Sequence, residues 1–379
     1  MGSAVAWNIA SDPTFKGRIL VVERDMSYQT AASALSASGI RQQFSCAVNI
    51  RASQFGIDFL RKIGENLEAD GDRPQISLKE SGYLMLATAA GQDILTQNHV
   101  LQCAEGADIV LLNAKQLLQR FPWLNTSGIA AGTHGVTGEG WFDGYGLMQA
   151  FRRKARHLGV TYMQGEIAAV DQSGGRITGV RLADGSHLSC GAFVNTCGAS
   201  GAQRVAKMMG VEIPVVAKKR CVFTFSARDK IADFPLLIDP TGVYVRPEGE
   251  GYICGVSPDD LDAVEAQDFD VDWHVFDEII WPALAQRVPA FESIRPGRAW
   301  AGHYDMNLFD QNAIVGRAPG LANGWIAAGF SGHGLQQAPA IGRGLAELIQ
   351  HGRFLSLDLA EFCVERIVQN RTLRERNVI

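Results

Sequence analysis

No run of apolar residues approaches the roughly 20 needed to cross a bilayer, so a membrane-spanning helix is not expected. Positive charge is not in excess: 35 Lys and Arg face 40 Asp and Glu, a net charge of −5. Composition therefore gives a nucleic-acid or anionic-membrane partner no electrostatic support. No Lys or Arg precedes the first apolar stretch, so no secretory leader is expected. The cysteines (Cys46, Cys103, Cys190, Cys197, Cys221, Cys254 and Cys363) are odd in number and show neither CxxC nor zinc-like spacing. Reduced, buried thiols in a cytoplasmic protein are the expectation, and no metal site is expected. Internal repeats, low-complexity linkers and a Gly-X-Y period are all missing.

Glycine is what the chain has in plenty: 41 of 379 residues, against roughly 27 at an average usage of about 7%. With 46% hydrophobic and 20% charged residues the chain is globular rather than disordered. Its length calls for two or three domains. Excess glycine in such a chain sits in tight turns and where backbone approaches a ligand closely.

The sequence opens with a helical pattern over Gly2 to Ala10. A turn at Ser11 to Pro13 follows, then Ile19 to Val22 reads as a buried parallel strand ending in Glu23. Helix, strand and terminal acid form the second half of a dinucleotide-binding βαβ unit. The acid lies 21 residues after Gly2, close to the roughly 20 the fingerprint asks of an acid that bonds a ribose hydroxyl. The first strand and first two glycines of G-x-G-x-x-G are missing from this reading. Ser33 to Gln43 reads as a polar loop, and 132–146 as a Gly-rich loop before a helix from Leu147. His134 and His157 read as surface or loop residues. Near the C-terminus, the strand Trp325 to Ala328 runs into Gly329, Phe330, Ser331, Gly332, His333 and Gly334, then a helix to about Gln350. A strand feeding a Gly-rich turn and a helix N-terminus is an anion-binding device.

Glu23 after its apolar strand, Ser36 to Phe44, Val194 to Ala199, Trp300 to Asp305 and Ala327 to Gly334 together resemble the FAD-dependent amine oxidoreductases. That family includes D-amino acid oxidase, glycine oxidase and sarcosine oxidase. The resemblance implies an α/β, two-domain fold: a Rossmann-like FAD-binding domain (1–80, 128–212 and 311–379) interleaved with a mixed or antiparallel-sheet substrate-binding domain (81–127 and 213–310). It implies non-covalent FAD. Gly2 and Ser3 would meet the pyrophosphate, and Glu23 and Arg24 the adenosine ribose. Ser33, Ser36 and Gly39 would follow the chain towards the flavin. Ile167 or Ala168 would hold the adenine, and Cys197, Gly198 and Ala199 would pass the diphosphate. Gly329, Ser331, Gly332, His333, Gly334 and Leu335 would cover the isoalloxazine. An NAD enzyme could also use Glu23, but has no use for this C-terminal cover.

The implied reaction oxidises the C–N bond of a small amine or amino acid, N-methyl, glycine-like or D-configured, by hydride transfer to flavin N5, followed by imine hydrolysis. Arg246 beside Tyr244 is the expected carboxylate anchor, with Arg41 second. His303 and Tyr304 are expected to line the pocket. Gln336 stands where sarcosine oxidase has its carboxylate-binding lysine, Ile253 where it has its oxygen-activating lysine, and His303 where a cysteine carries covalent flavin. Either O2 or another electron acceptor therefore remains open. A second reading comes from the branch of the family these motifs most resemble, one with a eukaryotic member associated with respiratory-complex assembly. It is a flavoprotein with an assembly or interaction role, a protein partner, little turnover and a place at the periphery of an inner membrane.

Overall fold

The computed structural model describes residues 1–257, 264, 265 and 267–376. Its largest feature is an eight-stranded sheet in the order Ile294–Asn307, Val215–Ala227, Gly251–Gly255, Tyr244–Glu248, Leu236–Ile238, Tyr83–Ala87, Ala131–Gly135 and Ile109–Asn113. Every neighbouring pair is antiparallel except Leu236–Ile238 with Tyr83–Ala87. The two longest strands, Val215–Ala227 and Ile294–Asn307, pair along nearly their whole length, from Val215 opposite Asn307 to Ala227 opposite Ile294. One face of this sheet is covered by an aromatic core that includes Phe223, Phe225, Phe234, Phe276 and Phe291. The Trp281–Arg287 helix contributes Ala283 and Leu284 to it.

The nucleotide-binding pattern appears as smaller parallel pairs. Leu20–Glu23 pairs with Thr161–Gln164, and Phe193–Asn195 pairs with Gly324–Ala328, which also takes Ile314–Arg317 antiparallel. Helices Gly2–Ser11, Ala47–Arg61 and Gly334–His351 pack together beside them through Val5, Ile9, Val48, Ile341 and Leu345. This is the expected mixed α/β architecture. Among the described residues, no helix is long and apolar enough to cross a membrane.

Several local expectations are corrected. Leu20–Glu23 is half-exposed rather than buried, because it has one strand neighbour. The segment expected as a polar loop holds a short helix, Ala32–Leu35, and a strand, Gly39–Ile40, paired with Gly140–Trp141. The Gly-rich stretch 132–146 is not one loop: it holds most of the Ala131–Gly135 strand, the Gly140–Trp141 strand and, from Gly144, the start of a helix. Its glycines serve close packing: a Cβ on Gly132 would lie 3.0 Å from the Met85 carbonyl, and one on Gly140 would lie 1.9 Å from the Lys79 carbonyl. His134 is a buried strand residue, and burial lowers its pKa to about 4. Cys254 alone of the thiols is buried; Cys103 and Cys197 are exposed, and all seven are free. The large sheet also takes Ala131–Gly135, a segment grouped by sequence with the other unit.

Candidate active site

A cavity of about 350 Å³ is walled by both the small parallel sheets and the large one. Helices Gly2–Ser11, Gly198–Met208 and Gly334–His351 all begin on it. None has a side-chain cap or an acidic residue in its first turn. The first N–H groups of a helix have no intrahelical partner, so three positive dipole ends and their donors open on one space. Gly198 has φ +57, and a Cβ there would meet nothing within 4 Å, which leaves its surroundings open for a ligand. At one end Glu23 accepts a 2.9 Å hydrogen bond from the Asp25 N–H, which fixes its carboxylate at the cavity wall.

At the other end the Gly-rich turn is sewn to the end of the Ile294–Asn307 strand. Ser331 N–H donates to the Asp305 carbonyl (3.1 Å), and Ser331 Oγ accepts from the Asn307 N–H (3.1 Å). Gly332 has φ +93, and a Cβ on it would lie 2.5 Å from the Tyr304 ring. The Asp305 carboxyl, buried at the cavity, is pushed up to about 6 by desolvation, against hydrogen bonds from the Phe330 and Gly329 backbone. His303 Nε2 is buried with no hydrogen-bond partner among the described residues, and burial lowers the pKa of its ring. Phe269 meets that ring edge-on at 4.7 Å.

This arrangement, a carboxylate-ended strand, three bare helix starts and a glycine turn over a substrate-side strand, is matched across residues 1–348 by the DAO family, FAD dependent oxidoreductases. The chain belongs to the DAO family. FAD is therefore its cofactor. The bare helix starts and the open Cα of Gly198 fit such a group: they supply donors and room for a diphosphate, while Glu23 suits the ribose. The chain is 39% identical over 414 residues to FAD-dependent oxidoreductase domain-containing protein 1 of Xenopus laevis, covering 100% of this chain and 83% of that protein. It is 26% identical to mitochondrial sarcosine dehydrogenase of Mus musculus over 72% of this chain and 31% of that one. Among solved structures, L-proline dehydrogenase from P. horikoshii superposes with TM-score 0.85 at 24% identity, over 98% and 96% of the two chains. Glycine oxidase from Geobacillus kaustophilus gives 0.81 at 20%, over 96% and 95%.

In this DAO-family chain the cavity brings together Gly2, Ser3, Glu23, Arg24, Ser33, Ser36, Ile167, Cys197, Gly198, Ala199, Gly332, Gly334 and Leu335, with Tyr244, His303 and Tyr304 from the large sheet. Ala168 is exposed beside it, while Gly39, Gly329 and Ser331 sit behind the wall. Gly39 is pressed so close to Tyr83 that a Cβ would fall 1.7 Å from its hydroxyl.

Arg246 does not reach the cavity. Its Nε and Nη2 donate to the Ala37 carbonyl (3.0 and 2.8 Å), and Nη1 donates to the Pro247 carbonyl and pairs with Glu248. It braces the Ser36 to Gly39 loop instead. Arg41, His333 and Gln336 are likewise buried behind the turn. Gln336 Oε1 accepts from the Arg41 N–H (2.8 Å), and Arg41 Nη2 lies 3.2 Å from His333 Nε2. Burial, reinforced by the Arg41 charge, drives the His333 pKa far down, so its Nε2 accepts from the guanidinium.

Four further residues were given no role by sequence. Arg220, Tyr83 and Glu139 carry no motif, although Arg220 closes a basic triplet that leads into an apolar strand, and Asp305 ends the Trp300 to Asp305 motif without a role of its own in that reading. Glu139 accepts from Gln42 N (2.6 Å), Gln43 N (3.1 Å) and Gln43 Nε2 (2.7 Å), and burial nevertheless pushes its pKa up to about 7.

Proposed function

We propose that this protein oxidises the C–N bond of a small amine or amino acid at the Tyr304 end of the cavity. The observation that carries this reading is the meeting of the Gly332 to Leu335 turn with the His303 to Asp305 strand end across one enclosed space. Bound FAD would accept a hydride from the carbon next to nitrogen, leaving an imine that water hydrolyses. The residues then divide the remaining work. The Gly332 to Leu335 backbone and the start of its helix supply donors towards negative charge that develops on the reduced cofactor. His303 is neutral at physiological pH and its Nε2 has no partner among the described residues, so it would take the proton that an ammonium must lose before it can yield a hydride. Tyr304 and Tyr244 wall the substrate, and the Ser36 to Gly39 loop, braced by Arg246, holds its place beneath. The likeness to a sarcosine dehydrogenase supports C–N chemistry rather than alcohol oxidation. The interleaved two-domain division is part of the same proposal, with the cavity between the units.

The test is anaerobic. FAD-loaded protein is mixed with a panel of N-methyl amino acids, glycine, proline and D-amino acids while flavin absorbance is followed. Bleaching by at least one class is expected; bleaching by none refutes the reading and favours a flavoprotein with an assembly role.

A further inference from the structure

The helix Ala47–Arg61 begins without a side-chain cap or an acidic residue in its first turn. Its positive dipole end favours a nearby anion. A segment from the far end of the sequence supplies one. Residues 371–376 form neither helix nor strand, yet they are tied down along their length. Leu373 N–H donates to Asp310 Oδ2 (2.9 Å), and its carbonyl accepts from Asn312 Nδ2 (2.5 Å). Glu375, only 3% exposed, accepts from Ser45 N–H (2.8 Å), Ser45 Oγ (2.5 Å) and Asn49 Nδ2 (3.3 Å). Arg376 N–H then donates to Ser45 Oγ (2.7 Å).

The helix held in this way leads to the cavity. Asn49 Oδ1 accepts from Gln337 Nε2 (2.8 Å), in the first turn of the Gly334–His351 helix. About two turns further on, Gly56 lies against the Gln336 carbonyl, where a Cβ would fall 2.4 Å away. Gln337 N–H in turn donates to the His333 carbonyl (3.2 Å). A second route is electrostatic. The Glu375 charge acts on the buried Arg41 guanidinium, whose Nη2 lies 3.2 Å from His333 Nε2. Both routes end on the turn whose Gly332, Gly334 and Leu335 line the cavity.

We propose that residues 371–376 are a strap that latches the cofactor-covering turn, with Glu375 as its positioning residue. The proposal rests on the reading that the Gly332 to Leu335 turn faces the flavin. With the strap in place, the donors of the turn are held towards the cofactor. With it released, the Ala47–Arg61 helix loses its anion and Gln337 loses a fixed partner in Asn49, so the turn loosens. The chain then holds FAD less tightly, above all in its reduced, negatively charged form.

FAD-loaded parent and variants are compared by the rate of FAD release on dilution and by flavin reduction potential, and the apoproteins by melting. Glu375→Ala should release FAD at least about tenfold faster and lower the potential. Glu375→Gln keeps an acceptor for Asn49 and should fall between the two. Arg376→Ala removes only a contact with Gln97 and should match the parent in both. The effects of Glu375→Ala and Gln337→Ala on release should be less than additive, as one chain of contacts requires. If both Glu375 variants lower apoprotein melting but leave release and potential at parental values, Glu375 merely anchors a helix and the proposal is overturned; full additivity overturns it too. Gly332→Ala, which disturbs the turn directly, separates the strap from the reading it rests on. A shifted potential in Gly332→Ala alone overturns the strap and keeps the turn over the flavin, and no shift in either variant overturns both.

Discussion

Replacing Gly332 by alanine perturbs the site at one atom, and its cost can be worked from the structure. At φ +93 a side chain is strained, which costs about 1–2 kcal/mol for an L-residue in the left-handed region. The new Cβ would also fall 2.5, 2.8 and 3.1 Å from three atoms of the Tyr304 ring. The ring is the mobile partner and must turn away, which forfeits its stack under Arg220, worth about 0.5–2 kcal/mol. The sum is about 1.5–4 kcal/mol. A chain of this length has an unfolding entropy near 0.8 kcal/mol per kelvin, so the melting temperature should fall by roughly 2–5 °C. Gly320 supplies the control. It has φ +77 but nothing within 4 Å of an added Cβ, so Gly320→Ala should lose roughly 1–2 °C from strain alone. Scanning calorimetry reads both, and amine-driven flavin bleaching reads the site. Gly332→Ala should slow bleaching, because the displaced ring no longer walls the substrate, whereas Gly320→Ala should not. If Gly332→Ala melts like the Gly320 variant and bleaches like the parent, the contact between turn and ring does not organise this site.

Arg246→Met should lower stability by about 2–3 kcal/mol, because the Ala37 carbonyl loses both its donors, which urea denaturation checks. Glu139 holds its proton to about pH 7 when folded but only to the ordinary carboxylate value of 4.5 when unfolded. Stability should therefore fall as pH rises from about 4.5 to 7, and Glu139→Gln should remove that slope from urea midpoints measured across the range. His303 works as a neutral base with a lowered pKa, so amine-driven flavin bleaching should decline as pH falls through a value below 6.5; His303→Gln should bleach more slowly and lose that acid limb.

What the sequence made legible was local. Glu23 ends an apolar strand, and the turn from Gly329 to Gly334 joins strand to helix within a few residues, so order along the chain carried the meaning. The arginines were not local. Arg246 and Arg220 both lie on strands of the same sheet beside aromatic residues, and alternation along a strand cannot say which of them reaches the cavity. Pairing does. Arg246 stands opposite Ile253 in an interior pair, and its reach is taken up by the Ala37 carbonyl of a loop more than two hundred residues earlier. Arg220 stands opposite Gly302, against which Leu35 packs, and it lines the cavity. The glycines from 132 to 140 misled for the same reason. Their lack of a side chain serves contacts with Met85 and Lys79, which become neighbours only once the sheet has formed.

The buried arginines also explain how the loop under the turn holds its place. Arg41 and Arg246 brace the two ends of the segment from Ala37 to Gln43, one through Gln336 and His333 and the other through Ala37. Glu139 holds the far side of that segment through the Gln42 and Gln43 N–H groups. The loop under the turn is thus fixed by charges whose hydrogen bonds are internal, so its position does not depend on a ligand. Among the described residues Arg220 donates to Ser257 Oγ and the Lys219 carbonyl, and it lines the cavity. A frame that is rigid without its ligand spares binding the entropy of ordering the loop, so more of each contact is kept as affinity.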